Sequence, residues 1–271
     1  MTAQLALPQH HLILAASEKG GVGKSLLSLG VCDWLSLAGN PPSVIQIDRQ
    51  RRLADALGGD VLTIASDPAA ARVNPEIEVQ RFSPLLERIE QTHSTSPVLI
   101  DVGAGECDRF ATWASLVDLE EDLLDWDIQC HILIPFLAEA ESIRQAAWTA
   151  ERLQKTLPSA SFYLVENRRD GMLSQKNSQS SAAEAAKKYL NPWFKKSGRI
   201  TLPAIPAGSW RSFESANCRF IDVVDMTTAE TMALTGLPRA ESKIARGDIS
   251  QWLVSVFDQL DKTFTINEAR T

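Results

Sequence analysis

Lys24 and Ser25 close the run Lys19-Gly20-Gly21-Val22-Gly23-Lys24-Ser25, and this spacing suits one kind of chemistry, the holding of a phosphate chain. Glycines let a backbone curl until several N–H groups face one anion. A helix beginning near Ser25 would add the positive end of its dipole. Lys24 would then meet the β- and γ-phosphates of a nucleotide, and the Ser25 hydroxyl would ligate Mg²⁺. The general loop pattern is G-x-x-x-x-G-K-[ST]. Glu18 stands where that pattern has its first glycine. The fit is to K-G-G-x-G-K-[ST], a variant with an additional lysine, Lys19. A Gly-rich turn between strand and helix would explain the glycines but not the two lysines.

Nucleotide chemistry at such a loop also needs a carboxylate near the metal and a group to position the attacking water. Two aspartates end apolar runs. Asp101 ends Val98-Leu99-Ile100 and is followed by Val102-Gly103-Ala104-Gly105. It is the candidate to hold Mg²⁺ through water, and the glycines suit a loop that senses the γ-phosphate. Asp48 ends Val44-Ile45-Gln46-Ile47.

These residues need strands ending at one edge of a sheet, with helices behind them. Apolar runs at Leu12–Ala16, Val44–Ile47, Val98–Ile100, Ile128–Pro135 and Phe162–Val165 read as strands. Helical stretches at Ser25–Ala38, Pro84–Thr92, Arg109–Leu124, Glu139–Leu157 and Ser181–Leu190 separate them. Nearly continuous apolar strands suit a parallel sheet covered on both faces, and the alternation suits right-handed βαβ units. The expectation is an α/β fold, a doubly wound, mainly parallel sheet flanked by helices. It is read as one domain over 1–271, with 1–10 flexible. The polar stretch Ser174–Ser181 reads as a surface loop.

The 271-residue length and 44% hydrophobic content suffice for a full core. No apolar run approaches a membrane span, and Leu12–Ala16 is too short and lacks the basic flank of a signal peptide. No membrane insertion is expected, and the reading is cytoplasmic. The net charge of −7 argues against a chain coated in basic charge, yet leaves room for a local patch. Cys32, Cys107, Cys130 and Cys218 form no C-x-x-C pair and read as buried thiols. Ile249, Trp252, Leu253, Val256, Phe257 and Leu260 follow helical spacing. With Asp258 and Asp261 on the polar side, a helix packed on the sheet is favoured over one that binds membrane.

The two lysines of the loop resemble the deviant Walker A ATPases of the ParA/MinD family, and the chain is similar to that family from about Leu12 to Leu260. The resemblance implies a P-loop NTPase fold with ATP and Mg²⁺ bound at Gly20, Gly21, Val22, Gly23, Lys24 and Ser25. In that family the additional lysine crosses a dimer interface to the partner's nucleotide, so Lys19 is implied as a catalytic residue supplied in trans. The family carries D-x-D-P-Q after its second strand, against Gln46-Ile47-Asp48-Arg49-Gln50 here. If Asp48 matches the first aspartate, the water-positioning place falls on Gln50. If it matches the second, Gln46 and Arg49 are the departures. The separation from Lys24 favours the second alignment and implies Asp48 as the catalytic aspartate, with slow turnover. Phe162–Arg168 resembles the strand end where an asparagine reads adenine, which implies Asn167. Thr201–Pro206 resembles the next strand and its exit, which implies Pro206 at the base, and Ser209–Ala216 resembles the short helix that follows. Iron–sulfur relatives use two cysteines per subunit, and no cysteine between Cys32 and Cys107 pairs with Cys107, so no cluster is expected.

The function so implied is an ATP-dependent homodimer switch that partitions plasmid or chromosomal DNA or positions cargo. It would bind DNA or a DNA-bound adaptor. Lys187, Lys188, Lys195, Lys196 and Arg199, interleaved with Tyr189, Trp193 and Phe194, are candidate phosphate contacts, as are Arg49, Arg51 and Arg52. A solvated face beside core aromatics explains the first group equally well. A second reading is an ATPase of conjugation or mobilisation acting on a relaxase or secretion partner, towards which the acidic stretch Asp118–Asp127 would point. A ligase or amidase on the same fold, and a non-hydrolysing scaffold, are the remaining alternatives.

Overall fold

The computed structural model describes residues 10–66, 72, 74, 76–206 and 208–268. The expectation for 1–10 falls outside them except at His10. Among the described residues, seven strands form one sheet: β1 (His11–Ala16), β2 (Ser43–Ile47), β3 (Val61–Ile64), β4 (Val98–Val102), β5 (Gln129–Phe136), β6 (Ser161–Asn167) and β7 (Gly198–Leu202). Their order is β3-β2-β4-β1-β5-β6-β7, and every neighbouring pair is parallel. Parallel strands need crossovers, so helices cover both faces. That burial is why β1 and β4 are apolar almost throughout, and why the one carboxylate in β4, Asp101, stands out.

One face carries α1 (Lys24–Leu37) and the last helix, α13 (Arg239–Glu268). Leu27, Val31 and Leu35 of α1 pack there with Ile249, Trp252, Val256 and Leu260 of α13. The final helix is therefore packed on the domain, as its spacing implies, and Trp34 of α1 donates to Asp261 on it at 2.7 Å. The opposite face carries α4 (Ser83–Thr92), α5 (Cys107–Leu116), α6 (Leu119–Asp125) and α7 (Ala140–Thr156). Phe82, Phe110, Trp113, Ile143 and Ala146 are in its core. Among the described residues, no helix is long and apolar enough to cross a membrane.

Three details differ from the sequence expectations. The single helix expected over Arg109–Leu124 is two, α5 and α6, because Asp118 takes a left-handed backbone with φ 52°. The Ser181–Leu190 helix widens after α8 (Ser181–Ala185) into a π turn at Ala186–Leu190, followed by α9 (Asn191–Phe194). Strand β3 is an edge strand of four residues with three only partly buried, too short to announce itself as an apolar run. The shorter helices are α2 (Arg52–Leu57), α3 (Glu76–Gln80), α10 (Arg211–Ser215), α11 (Phe220–Asp225) and α12 (Thr228–Thr235). Cys32, Cys107 and Cys130 are buried free thiols, and Cys218 is half-buried.

Candidate functional site

The chain leaves β1 at the middle of the sheet and enters α1 through the loop 17–23. Gly21 and Gly23 sit at φ 71° and 93°, a left-handed backbone that side chains disfavour. Gly23 is the cap residue from which α1 starts, so the first N–H groups of the helix point back into the loop. Lys24 folds over it, with Nζ donating to Lys19 O at 3.0 Å.

Behind the loop lies Asp101, 1% exposed. Register places it beside Ala15 of β1 and Gln46 of β2. Ser25 Oγ donates to Asp101 Oδ2 at 3.1 Å, and Ser28 Oγ donates to Oδ1 at 2.9 Å. Burial pushes the Asp101 carboxyl above its usual range, opposed by the Ser28 bond, the Lys24 charge and the Ser25 bond. Burial likewise pushes the Lys24 ammonium below its usual value, against the pull of Asp101 and then Asp48. A cation and a carboxylate are thus held together in a place that disfavours charge. An arriving polyanion would favour the charged Lys24 ammonium, and a cation bound with it would favour the ionised Asp101. A hydroxyl and a buried carboxylate, both oxygen ligands at the foot of an anion loop, suit Mg²⁺.

Asp48 follows the end of β2. Its Oδ1 accepts from Gln50 N at 3.0 Å, so Gln50 caps the aspartate rather than reaching into the cleft through that group. The neighbouring strand end is closed tightly: Gly103 N donates to Ile47 O at 2.7 Å. A Cβ on Gly103 would fall 2.7 Å from Asp48 Cγ. Gln46, fully buried, uses its amide on its own segment. Its Nε2 donates to Gln50 O, and its Oε1 accepts from Ala54 N at 3.0 Å. Where the resembled family has a carboxylate, this neutral amide braces the connection from β2 into α2.

A cleft of about 670 Å³ joins these parts. Gly20, Gly21, Gly23, Lys24, Ser25 and Asp48 line it together with Asn167, Arg169, Pro206 and Trp210. Asn167 is buried at the end of β6. Its Nδ2 donates to Val22 O at 2.9 Å, and its Oδ1 accepts from Arg169 N at 3.1 Å. One N–H and one lone pair of the amide remain for a base. Lys19 is not on the cleft wall. Its ammonium lies 3.0 Å from Glu139 Oε1 on the rim, both side chains partly exposed.

Ser28, Arg169 and Glu139 were not singled out by sequence as site residues, and Gly103 was read only as part of the glycine loop after Asp101. Ser28 had a signal, one helical turn after Ser25 and so on the same face. Arg169 and Glu139 had none, since they meet the loop only in space. Of the two groups of candidate phosphate contacts, Arg52 lines the cleft itself, whereas the lysine-rich group is not on its wall. Lys187, Lys188, Lys195, Lys196 and Arg199 are exposed, with Lys196 over Trp193 and Arg199 over Phe194 at 3.8 and 3.9 Å. Lys195, Lys196 and Arg199 flank the start of β7, the sheet edge remote from the loop. The acidic helix α6 leads into the start of β5, also at that remote edge.

No protein-family model matches the sequence, and no curated protein matches it. Solved structures do. MinD cell division protein of Aquifex aeolicus is 18% identical over 89% of this chain and 95% of that one, with a TM-score of 0.49. The MinC:MinD cell division protein complex of the same organism is 17% identical over 88% and 96%, with a TM-score of 0.47. A Cyanothece McdA–ATP complex is 13% identical over 90% and 97%, with a TM-score of 0.49.

Proposed function

We propose that this chain is an ATPase of ParA/MinD type, an ATP-dependent dimerisation switch with slow hydrolysis. The observation that carries the reading is the grouping of Lys24, Ser25 and Asp101 at the foot of a left-handed glycine loop, with Ser25 bonded to Asp101 at 3.1 Å. Ser25, and Asp101 through water, would hold Mg²⁺, which when bound neutralises charge on the phosphate oxygens. Backbone N–H groups of the loop and the Lys24 ammonium would hold the phosphates. Asp48 would orient the attacking water and accept its proton. Asn167 and Pro206 would bound the base. Lys19, which pairs with Glu139 and is not on the cleft wall, would reach the nucleotide of a second copy, where its charge would stabilise the transferred phosphoryl group. Turnover would then depend on association.

The task of the switch is the partition of DNA or the positioning of cargo, on the basis of the exposed basic corner around β7, beside the buried Trp193 and the partly buried Tyr189 and Phe194. Contact with phosphates there would be nonspecific and salt-sensitive. An acidic face on α6 favours a second reading, in which a basic protein such as a relaxase or secretion partner is engaged instead.

Light scattering with ATP·Mg²⁺, ADP·Mg²⁺ and no nucleotide tests the switch. A dimer is expected with ATP alone. It should persist in Asp48→Ala and fail in Lys19→Ala. A mass that ignores nucleotide in the wild type would reject the switch. DNA retained in ATP at low salt and released at high salt would favour partition over the protein-partner reading.

A further inference from the structure

Two donors from the end of β6 reach successive carbonyls of the phosphate loop. Asn167 Nδ2 donates to Val22 O, and Arg169 Nη1 donates to Gly21 O, each at 2.9 Å. The donors belong to one corner. Asn167 Oδ1 accepts from Arg169 N and so caps the single-turn 3-10 helix Arg168–Asp170. Asp170 holds the other side of the guanidinium, with Nη2–Oδ2 at 2.9 Å and Nε–Oδ1 at 3.2 Å. The approach to the loop is close: a Cβ on Gly23 would fall 2.4 Å from Asn167 Nδ2.

In a trans peptide the C=O of one residue and the N–H of the next point in opposite directions, and the described peptides are all trans. Drawing the Gly21 and Val22 carbonyls towards β6 therefore turns the N–H groups of Val22 and Gly23 away from β6. Those are groups an anion would need; Val22 is anchored by its buried side chain, but Gly21 and Gly23 on either side of it have no side chain to hold their peptides in place. We infer that Arg169 and Asn167 act together as a clamp that sets the N–H groups of Val22 and Gly23 for phosphate. Arg169, which lines the cleft beside Asn167, is thus a positioning residue for the phosphate loop. The clamp also makes the base wall and the phosphate loop one mechanical unit. This inference rests on the nucleotide reading above.

Titration calorimetry with ATP·Mg²⁺ and with inorganic tripolyphosphate, which has no base, separates the possibilities. A hydrogen bond from a charged donor, here half-exposed, leads to an expected affinity loss of roughly 5–50-fold in Arg169→Ala. The loss should be the same factor for both ligands. Arg169→Lys, which keeps a donor, should recover most of it. Asn167→Ala, which removes no charge, should also weaken tripolyphosphate. Loss on ATP with tripolyphosphate unaffected would assign Arg169 to the base and overturn the clamp. So would tripolyphosphate binding that falls in Arg169→Ala but is untouched in Asn167→Ala, because direct charge would then explain it. A wild type that binds neither ligand would reject the nucleotide reading itself.

Discussion

Gly103→Ala sets the geometry of the two strand ends against a single methyl group. Gly103 has no left-handed backbone, so alanine can adopt its conformation, and the chain entropy of the unfolded state favours the substitution by about 0.4–1 kcal/mol. Space opposes it. The new Cβ would sit 2.7 Å from Asp48 Cγ and Oδ2 and 2.8 Å from Ile47 O, against an ordinary contact of 3.4–4 Å. Something must retreat by about 0.7 Å to reach the near end of that range. Asp48 is held by Gln50 N, and Ile47 O is backbone already bonded to Gly103 N. Overpacking of this kind costs about 1–3 kcal/mol, and a weakened strand-end bond about 1 kcal/mol more. The net expectation is a destabilisation of about 1–3 kcal/mol in urea unfolding. The same displacement moves Asp48 by a large part of an ångström. ATP turnover should fall by at least about tenfold while ATP affinity changes by less than about threefold. Gly247→Ala is the control, since nothing lies within 4 Å of its Cβ position and it sits inside α13. It should stabilise by about 0.5–1 kcal/mol. If Gly103→Ala matches wild type in both midpoint and turnover, the β2–β4 ends are looser than the contacts describe and the reasoning fails.

Three other outcomes follow from the same contacts. His11 and His131 are buried and bonded, Nδ1 to Nε2, at 2.9 Å; burial lowers their pKa values from 6.5 to about 4 and about 3, with His10 adding to the shift of His11 and His11 to that of His131. Between about pH 6.5 and pH 4 the unfolded chain therefore binds more protons, and stability should fall with acidity by up to ~1.4 kcal/mol per pH unit for each imidazole; His131→Gln should flatten the slope in urea midpoints measured across that range. Asp33 of α1 is fully buried, with Arg219 Nη2 at 2.7 Å and Ile221 N donating at 3.2 Å, so Asp33→Ala should cost about 2–4 kcal/mol by stranding a largely buried cation, and a loss under 1 kcal/mol would mean that water replaces the carboxylate. The Lys19–Glu139 pair is half-exposed and worth less than about 1 kcal/mol, so Glu139→Gln should leave the urea midpoint nearly unchanged, whereas Lys19→Ala should abolish the ATP-dependent dimer; a midpoint shift above that size in Glu139→Gln would assign the pair a structural role.

The sheet was legible because its strands are buried on both faces and stay apolar. Five runs anticipate β1, β2, β4, β5 and β6 to within a residue or two at most ends. Edge strands escape that signal: β3 is four residues, and at β7 only the resemblance pointed to Thr201 and Leu202. The loop, Asp48 and Asp101 were legible as local patterns of residue type at a strand end. The helix break at Asp118 was not, because a left-handed aspartate has no distinct pattern in a helical run. The clamp on Gly21 and Val22, and the partner of Lys19, join segments more than a hundred residues apart. Such contacts depend on where β5 and β6 stand relative to β1, which periodicity does not encode.

Gln46 has a mechanical consequence. Its amide ties the carbonyl of Gln50 and the N–H of Ala54, so the turn carrying Asp48 is fastened at both ends with no ligand required. A segment fastened in this way cannot report phosphate by going from slack to ordered. A signal from Asp48, on the proposed reading, would have to travel as a tilt of the whole β2–α2 connection, with nothing to be re-threaded when a ligand leaves. In amide exchange, Ala54 should stay protected with and without nucleotide, and the nucleotide-dependent change should appear at the packing surface of α2.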